Sequence, residues 1–435
     1  MKMIYTLLSF LILSLISHSS SGECGSGRYF DKVFSEASVT KDIDYGGWRN
    51  NLESGRTRLL LDFYEPVGDD LAERPLFILI HGGAFLDFPI IDKRSPDIIN
   101  MASDLVQKGY VCASPEYRLI KNPLSLLSVE FMAKEVVASM LDINDAICFF
   151  AESYNNGNPY RIDPNRVFVA GVSAGALIVL HGLFVDRIDE LGEPYITAAL
   201  NIGQLDGVDV QEKLDNKYCG IQGLGAVSIS GALIDTSLIK YRTTAVLFSH
   251  GTADNIVPIN IARPFGISTL PYMFGPQAAV PLIAATGTRV EYDEWEGSWH
   301  VPFLGFKWEE IITGNFRGFL IDDYIFDSTM NHIARFAQDL MGCPTVIKNN
   351  TSFSLVVYPN PGKGTLYAEV PKNLQRTALS AEVFNTLGQN MFRHTFPAGS
   401  DKLLINGIPP GHYNIRITDP FSGGKFLYTG KFIVL

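Results

Sequence analysis

Basic runs are missing from this 435-residue chain. Lys plus Arg number 35 against 46 Asp plus Glu, a net charge of −11, and no lysine- or arginine-rich segment interrupts the acidic balance. This excludes a protein built to grip phosphate backbones, so nucleic acid is not an expected partner. Charged residues are few altogether, 19% against 46% hydrophobic, which excludes a mostly disordered chain. Beyond residue 16 no apolar run approaches bilayer-spanning length, so an integral membrane protein is not expected. Cysteine is scarce as well. Cys24, Cys112, Cys148, Cys219 and Cys343 match no C-x-x-C metal or redox spacing. Internal repeats and long low-complexity tracts are absent, and no tryptophan follows Trp308.

What is present begins with a leader. Lys2 precedes an apolar stretch over 4–16, and the small polar run Ser17-His18-Ser19-Ser20-Ser21-Gly22 follows. A positive end, a short apolar core and small residues predict a secretory signal peptide over 1–22, cleaved near 19–22. The run is too short for a membrane anchor. A lipoprotein site at Cys24 is disfavoured by Glu23, which stands where such sites carry a small residue. The expected location is outside the cell, secreted or attached to its surface. Five cysteines cannot all pair internally. Cys112 and Cys148 fall in apolar strand-like and helix-like runs and read as small buried hydrophobes. Cys24 and Cys343 bracket the first domain and can pair in an oxidising compartment.

From 39 to about 341 short apolar strands alternate with helical stretches. Strands are expected over 59–64, 76–80, 110–113, 166–170, 226–230, 245–250 and 289–295. Runs such as LFILI and RVFVA have the continuous apolar character of strands covered on both faces. Between them, 129–154 places Phe131, Val136, Met140, Ile143, Ile147 and Phe150 at helical steps. Alternation of this kind predicts a mostly parallel sheet with helices on both faces, an α/β fold. After Cys343 the character changes. The polar stretch Lys348-Asn349-Asn350-Thr351-Ser352 reads as a linker, and beyond it Tyr413, Ile415 and Ile417 alternate with His412, Asn414 and Arg416. Two-residue periodicity broken by glycine turns predicts a small all-β sandwich. The expected division is a signal peptide over 1–22, a catalytic domain over 23–343, a linker over 344–354 and a sandwich over 355–435.

The first domain carries a nucleophile motif. Gly171-Val172-Ser173-Ala174-Gly175 is G-x-S-x-G between an expected strand and an expected helix. Glycines on both sides allow a tight, strained turn that lifts the serine hydroxyl above the sheet. A purely structural Ser173 is the bland alternative. Serine is a weak nucleophile at neutral pH and needs a base, which in turn needs an orienting acid. Of eight histidines, His18 leaves with the leader, and His394 and His412 lie in the β module. His81 sits in a glycine turn, and His181 and His332 sit inside helices. His300 follows a late strand and a turn, where an α/β sheet presents its site, and is the expected base over its nearest rival, His250. Asp254, in the Gly-x-x-Asp turn after the 245–250 strand, is the expected acid, with a solvated turn aspartate as the alternative. A strand running into His81-Gly82-Gly83-Ala84 supplies backbone N–H donors for an oxyanion hole, joined by the amide of Ala174.

On the motifs HGGAF, PEYRL (115–119), RIDPNRVFVAGVSAGA (161–176) and SHGTADNIVP, residues 39–341 resemble α/β-hydrolases of the carboxylesterase and lipase type. The resemblance implies Ser173 as nucleophile, His300 as general base and acid, and Asp254 as orienting carboxylate. It further implies an oxyanion hole from the amides of Gly83, Ala84 and Ala174, with no metal or organic cofactor. Ala84 and Ala176 depart from the family pattern, standing where many relatives have glycine. The stretch from 184 to 225 is longer than a connection requires and reads equally as a pocket-shaping cap or a surface excursion.

The pattern Tyr358-Pro359-Asn360-Pro361, then Val383 to Gln389, then Pro410-Gly411-His412-Tyr413, resembles the type A sorting domain of the type IX secretion system of Bacteroidetes. It implies an immunoglobulin-like sandwich read by type IX machinery at the outer membrane, with a carbohydrate-binding sandwich as the alternative. The expected function is a secreted serine hydrolase of carboxylic esters acting on a small or polymer-linked ester. A peptidase on the same fold and a non-catalytic adhesion protein are the rivals.

Overall fold

The computed structural model describes residues 24, 27–88, 91–304, 321–343, 353–354, 357–359, 363, 365–370, 378–385, 389–418 and 426–435. The expected leader and nearly all of the expected linker lie outside the described residues.

The first region is built on one eight-stranded sheet. Its strands are β1 (Ala37–Asn50), β2 (Arg56–Pro66), β3 (Arg74–Ile80), β4 (Val111–Pro115), β5 (Ile162–Val172), β6 (Gly223–Ile229), β7 (Ala245–Gly251) and β8 (Val290–Trp295). They lie in the order β1-β2-β4-β3-β5-β6-β7-β8. β2 runs antiparallel to both β1 and β4, and the remaining pairs are parallel. All seven expected strands are present. β1 was not expected, because its residues are mostly exposed and its pairing with β2 shifts register twice, which hides the two-residue period.

Side-chain alternation on the central strands divides the core in two. Leu76, Ile78 and Ile80 of β3 pack on one face with helices α2 (Val129–Asn155) and α3 (Ala174–Phe184). Phe77 and Leu79 point the other way, against α1 (Pro96–Gln107) and α7 (Asp323–Leu340). All seven residues of β3 are buried, which is why it reads as an unbroken apolar run. α2 starts where Ser128 accepts a hydrogen bond from the Phe131 amide at 3.2 Å, an N-cap.

The excursion after α3 carries helices α4 (Tyr195–Asp206) and α5 (Val210–Asp215). It packs onto α2: Leu191, Tyr195, Ala198 and Ile202 join the core, and buried Arg118 bridges Asp142 of α2 at 2.8 Å and Asp206 of α4 at 2.9 Å. A disulfide joins Cys148 to Cys219. This corrects the reading of Cys148 as an unpaired buried hydrophobe. Its helical position does face inward, but the excursion brings Cys219 to the same place. Cys24 and Cys343 form a second disulfide across the ends of the region, and Cys112 is free and buried. Helix α6 (Pro276–Ala285) leads into β8.

The C-terminal region has a five-stranded and a three-stranded sheet, antiparallel except where Phe353–Ser354 pairs parallel with Tyr428 and Thr429. Leu379, Ala381, Val383, Leu403, Ile405, Ile415 and Ile417 are buried in a core of their own, as expected of half-buried strands facing one another. Among the described residues no helix is long and apolar enough to cross a membrane.

Candidate active site

Ser173 stands at the end of β5, where the chain turns into α3 with φ 55° and ψ −116°. Only tight packing holds a non-glycine residue there. Its amide donates to the Ile229 carbonyl of β6 at 2.8 Å. A Cβ on Gly171 would overlap the Gly175 carbonyl, and one on Gly175 would overlap the Ile80 carbonyl of β3. Both glycines of the motif are therefore required by backbone proximity.

The Ser173 hydroxyl lies 2.7 Å from His300 Nε2, and His300 Nδ1 lies 2.8 Å from Asp254 Oδ2. These three residues come from the ends of three different segments, the elbow after β5 and the turns after β7 and β8. Asp254 Oδ1 accepts the amides of Ile256 and Val257 at 2.8 and 3.0 Å. Burial pushes the Asp254 carboxyl up, but the charge and hydrogen bond of His300 and the hydrogen bond of His250 outweigh it. The carboxyl is held well below the usual range. Ser173 and His300 are each 7% exposed.

After β3 the chain winds through three successive left-handed residues, Gly83 (φ 102°), Ala84 (φ 53°) and Phe85 (φ 62°). Among the described residues, no protein acceptor takes the amides of Gly83, Ala84 or Ala174. Gly83 and Ala84 line one cavity with Gly82, Asp97, Ile256 and Leu304 beside Ser173 and His300, and Ala174 directly follows Ser173. Such an arrangement offers free N–H donors next to an activated hydroxyl, which suits attack on a carbonyl and stabilisation of the oxyanion.

The family model described as BD-FAE matches residues 61–266. Residues 61–266 therefore carry a BD-FAE domain, of the α/β-hydrolase esterases. A second model, the secretion system C-terminal sorting domain, matches residues 356–434. Among solved structures, the chain is similar to Thermogutta terrifontis esterase 2 phosphorylated by paraoxon, at 17% identity over 71% of this chain and 95% of that one, TM-score 0.44. It is also similar to an inhibited esterase B from Lactobacillus rhamnosis, at 13% identity over 74% and 92%, TM-score 0.43. A truncated carbohydrate esterase from gut microbiota aligns at 16% identity over 71% and 98%, TM-score 0.42. No curated protein matches the chain.

In this hydrolase the six residues expected from the sequence surround one cavity, apart from Asp254 and Ala174, which stand directly behind His300 and Ser173. Two of the other first-domain histidines, His181 and His332, are engaged elsewhere. His181 bonds the Leu177 carbonyl at 2.7 Å and accepts the Ile234 amide at 3.2 Å, and burial pulls its imidazole down to about 4. His332 lies between Glu291 and Asp293. Ala176, a departure from the family pattern, is accommodated by Gly231: a Cβ at 231 would lie 2.6 Å from the Ala176 methyl.

Two supporting residues were not singled out from the sequence. The buried Tyr117 hydroxyl donates to the carbonyls of His81 and Gly82 at 3.0 and 3.1 Å, which anchors the left-handed turn. Its PEYRL motif was the available signal. Ser230, at φ 55°, accepts the Val301 amide at 3.0 Å and so fixes the residue after His300. No sequence signal pointed to it. None of the cavity residues comes from 185–222, so the excursion braces α2 and does not line this cavity.

Proposed function

We propose that the chain is a secreted serine hydrolase that cleaves carboxylic esters through an acyl-enzyme. The observation that carries the reading is the continuous hydrogen-bonded relay from Ser173 Oγ through His300 to Asp254, beside backbone amides that meet no acceptor among the described residues. As Ser173 Oγ bonds to the ester carbonyl carbon, its proton passes to His300 Nε2. The electron pair of the carbonyl collects on oxygen, facing the amides of Gly83, Ala84 and Ala174. Collapse of this intermediate breaks the ester C–O bond, and the departing alkoxide takes the proton from His300. Water then attacks the acyl-serine with His300 again as base, releasing the acid and restoring Ser173. Asp254 stays ionised throughout and holds His300 Nδ1–H. No metal or organic cofactor enters this scheme.

In this reading residues 1–22 are the signal peptide, 23–343 the catalytic domain, 344–354 a linker and 355–435 the sorting module. The sorting domain directs the hydrolase through type IX machinery to the outside of the cell or its surface. Two disulfides suit an oxidising destination. A peptidase would use the same relay, so substrates decide between the two. The purified protein is expected to hydrolyse a panel of chromogenic esters of graded acyl length, with feruloyl and acetyl-xylan esters alongside. Peptidyl amides should be turned over far more slowly, if at all. Efficient amide cleavage with poor ester cleavage would replace the esterase reading with the peptidase one, and inertness towards every substrate would favour adhesion.

A further inference from the structure

Asp254 carries two imidazoles. His250, near the end of β7, places Nε2 3.0 Å from Asp254 Oδ2, the same oxygen that His300 Nδ1 meets at 2.8 Å. His250 Nε2 also lies 3.0 Å from the Val257 carbonyl oxygen. A carbonyl oxygen only accepts, so Nε2 carries the hydrogen and donates it to Val257, with Asp254 Oδ2 at the same distance beside it. Among the described residues the other ring nitrogen, Nδ1, meets no partner, and the whole residue is 0% exposed. The ring is held with Nε2 facing the Asp254 carboxylate and the Val257 carbonyl. It contacts the acid and leaves the serine hydroxyl to His300.

We propose that His250 is a positioning residue for the catalytic carboxylate, holding its Nε2–H against Asp254 Oδ2 so that this oxygen stays aimed at His300. The proposal rests on the serine-hydrolase reading given above. Asp254 Oδ1 is fixed by two turn amides, and Oδ2 meets two imidazoles. Three hydrogen bonds and the close approach of the His250 ring surround the carboxylate and restrict its rotation. Without His250, Oδ2 keeps only the mobile imidazole it is meant to orient. A merely space-filling histidine would influence stability but would not act selectively on turnover.

The test uses the full-length enzyme and a short-chain p-nitrophenyl ester. His250→Phe keeps a ring but no donor. It should lower kcat about tenfold to a hundredfold, the worth of a hydrogen bond to a charged group, with KM within about twofold. His250→Gln, which keeps an N–H donor of similar reach, should recover most of the loss. In an Asp254→Ala background His250→Phe should add less than about twofold, because its effect passes through Asp254. If His250→Phe does not fold, His250→Asn, whose amide falls short of Oδ2, replaces it with the same expected loss. A folded donor-free variant with wild-type kcat overturns the proposal, and so does a loss that multiplies fully with Asp254→Ala. Substantial activity in Ser173→Ala would instead overturn the parent reading, so the two failures are distinguishable.

Discussion

In the hydrolase domain β3 buries all seven of its residues, whereas in the C-terminal sandwich Leu366–Glu369 alternates buried and exposed. Backbone strain is divided just as unequally. Ala84, Phe85, Ser173, Ser230 and Val301 all take positive φ around the cavity, while among the described residues no non-glycine residue of the sandwich does. A β-branched residue such as Val301 rarely adopts that conformation unless its surroundings impose it. A sheet covered on both faces can over-determine the turns at its strand ends, and at the cavity these five residues help aim an amide or a hydroxyl. Among the described residues the sandwich has a two-sided core and no such cluster, which suits a module that is recognised and does no chemistry.

The largest effects should come from removing the chemistry of the first domain. Ser173→Ala and His300→Ala should each lower kcat on the order of a thousandfold or more, and the double variant should be hardly worse than either, since the residues act as a unit. Steady-state kinetics on folded variants, checked by circular dichroism, measures this. Independent, multiplying losses would break the assignment. Next is the elbow itself. Gly175→Ala drives a methyl into the Ile80 carbonyl and should destabilise the domain by about 3 kcal/mol or more. Denaturant unfolding reads the loss, and wild-type stability would mean that β3 and α3 do not approach as described.

Smaller again is the effect of Cys148→Ser, which opens a loop of 71 residues and should cost about 2–4 kcal/mol. Esterase kcat at 25 °C should change little, because the excursion contributes nothing to the cavity. A collapse of kcat in the folded variant would give the excursion a part in catalysis. The smallest effect should follow deletion of residues from 351 onward. The purified hydrolase should keep its kcat and its thermal midpoint within about 2 °C, as expected for a domain with its own core. In the native host the truncated protein should accumulate in the periplasm. Normal secretion would return the sandwich to a binding role.

Sequence reading succeeded where local pattern and physical demand coincide. LFILI shows a doubly covered strand directly, and Gly171 and Gly175 flank Ser173 because no side chain fits at either position. The turn after β7 exposed Asp254 and His250 together, and placement after a late strand ranked His300 over His250 as the base without showing the contact. His300 and Ser173 are 127 residues apart, and only the packing of β7 between β6 and β8 shows which imidazole reaches the hydroxyl. The Cys148–Cys219 pair was illegible for the same reason, since it depends on how α4 and α5 fold back onto α2. β1 escaped because an exposed, irregular edge strand leaves no periodic trace. Ser230 escaped because its task is to hold a backbone amide of a distant turn.

The central claim is that Ser173 is the atom donor to an acyl-enzyme, and covalent trapping tests it most directly. Intact-protein mass spectrometry after reaction with a fluorophosphonate should show one adduct per chain, with loss of esterase activity in proportion. Peptide mapping should place that adduct on Ser173, and Ser173→Ala should show none. An adduct on another residue, or full inactivation with Ser173 unmodified, would contradict the account.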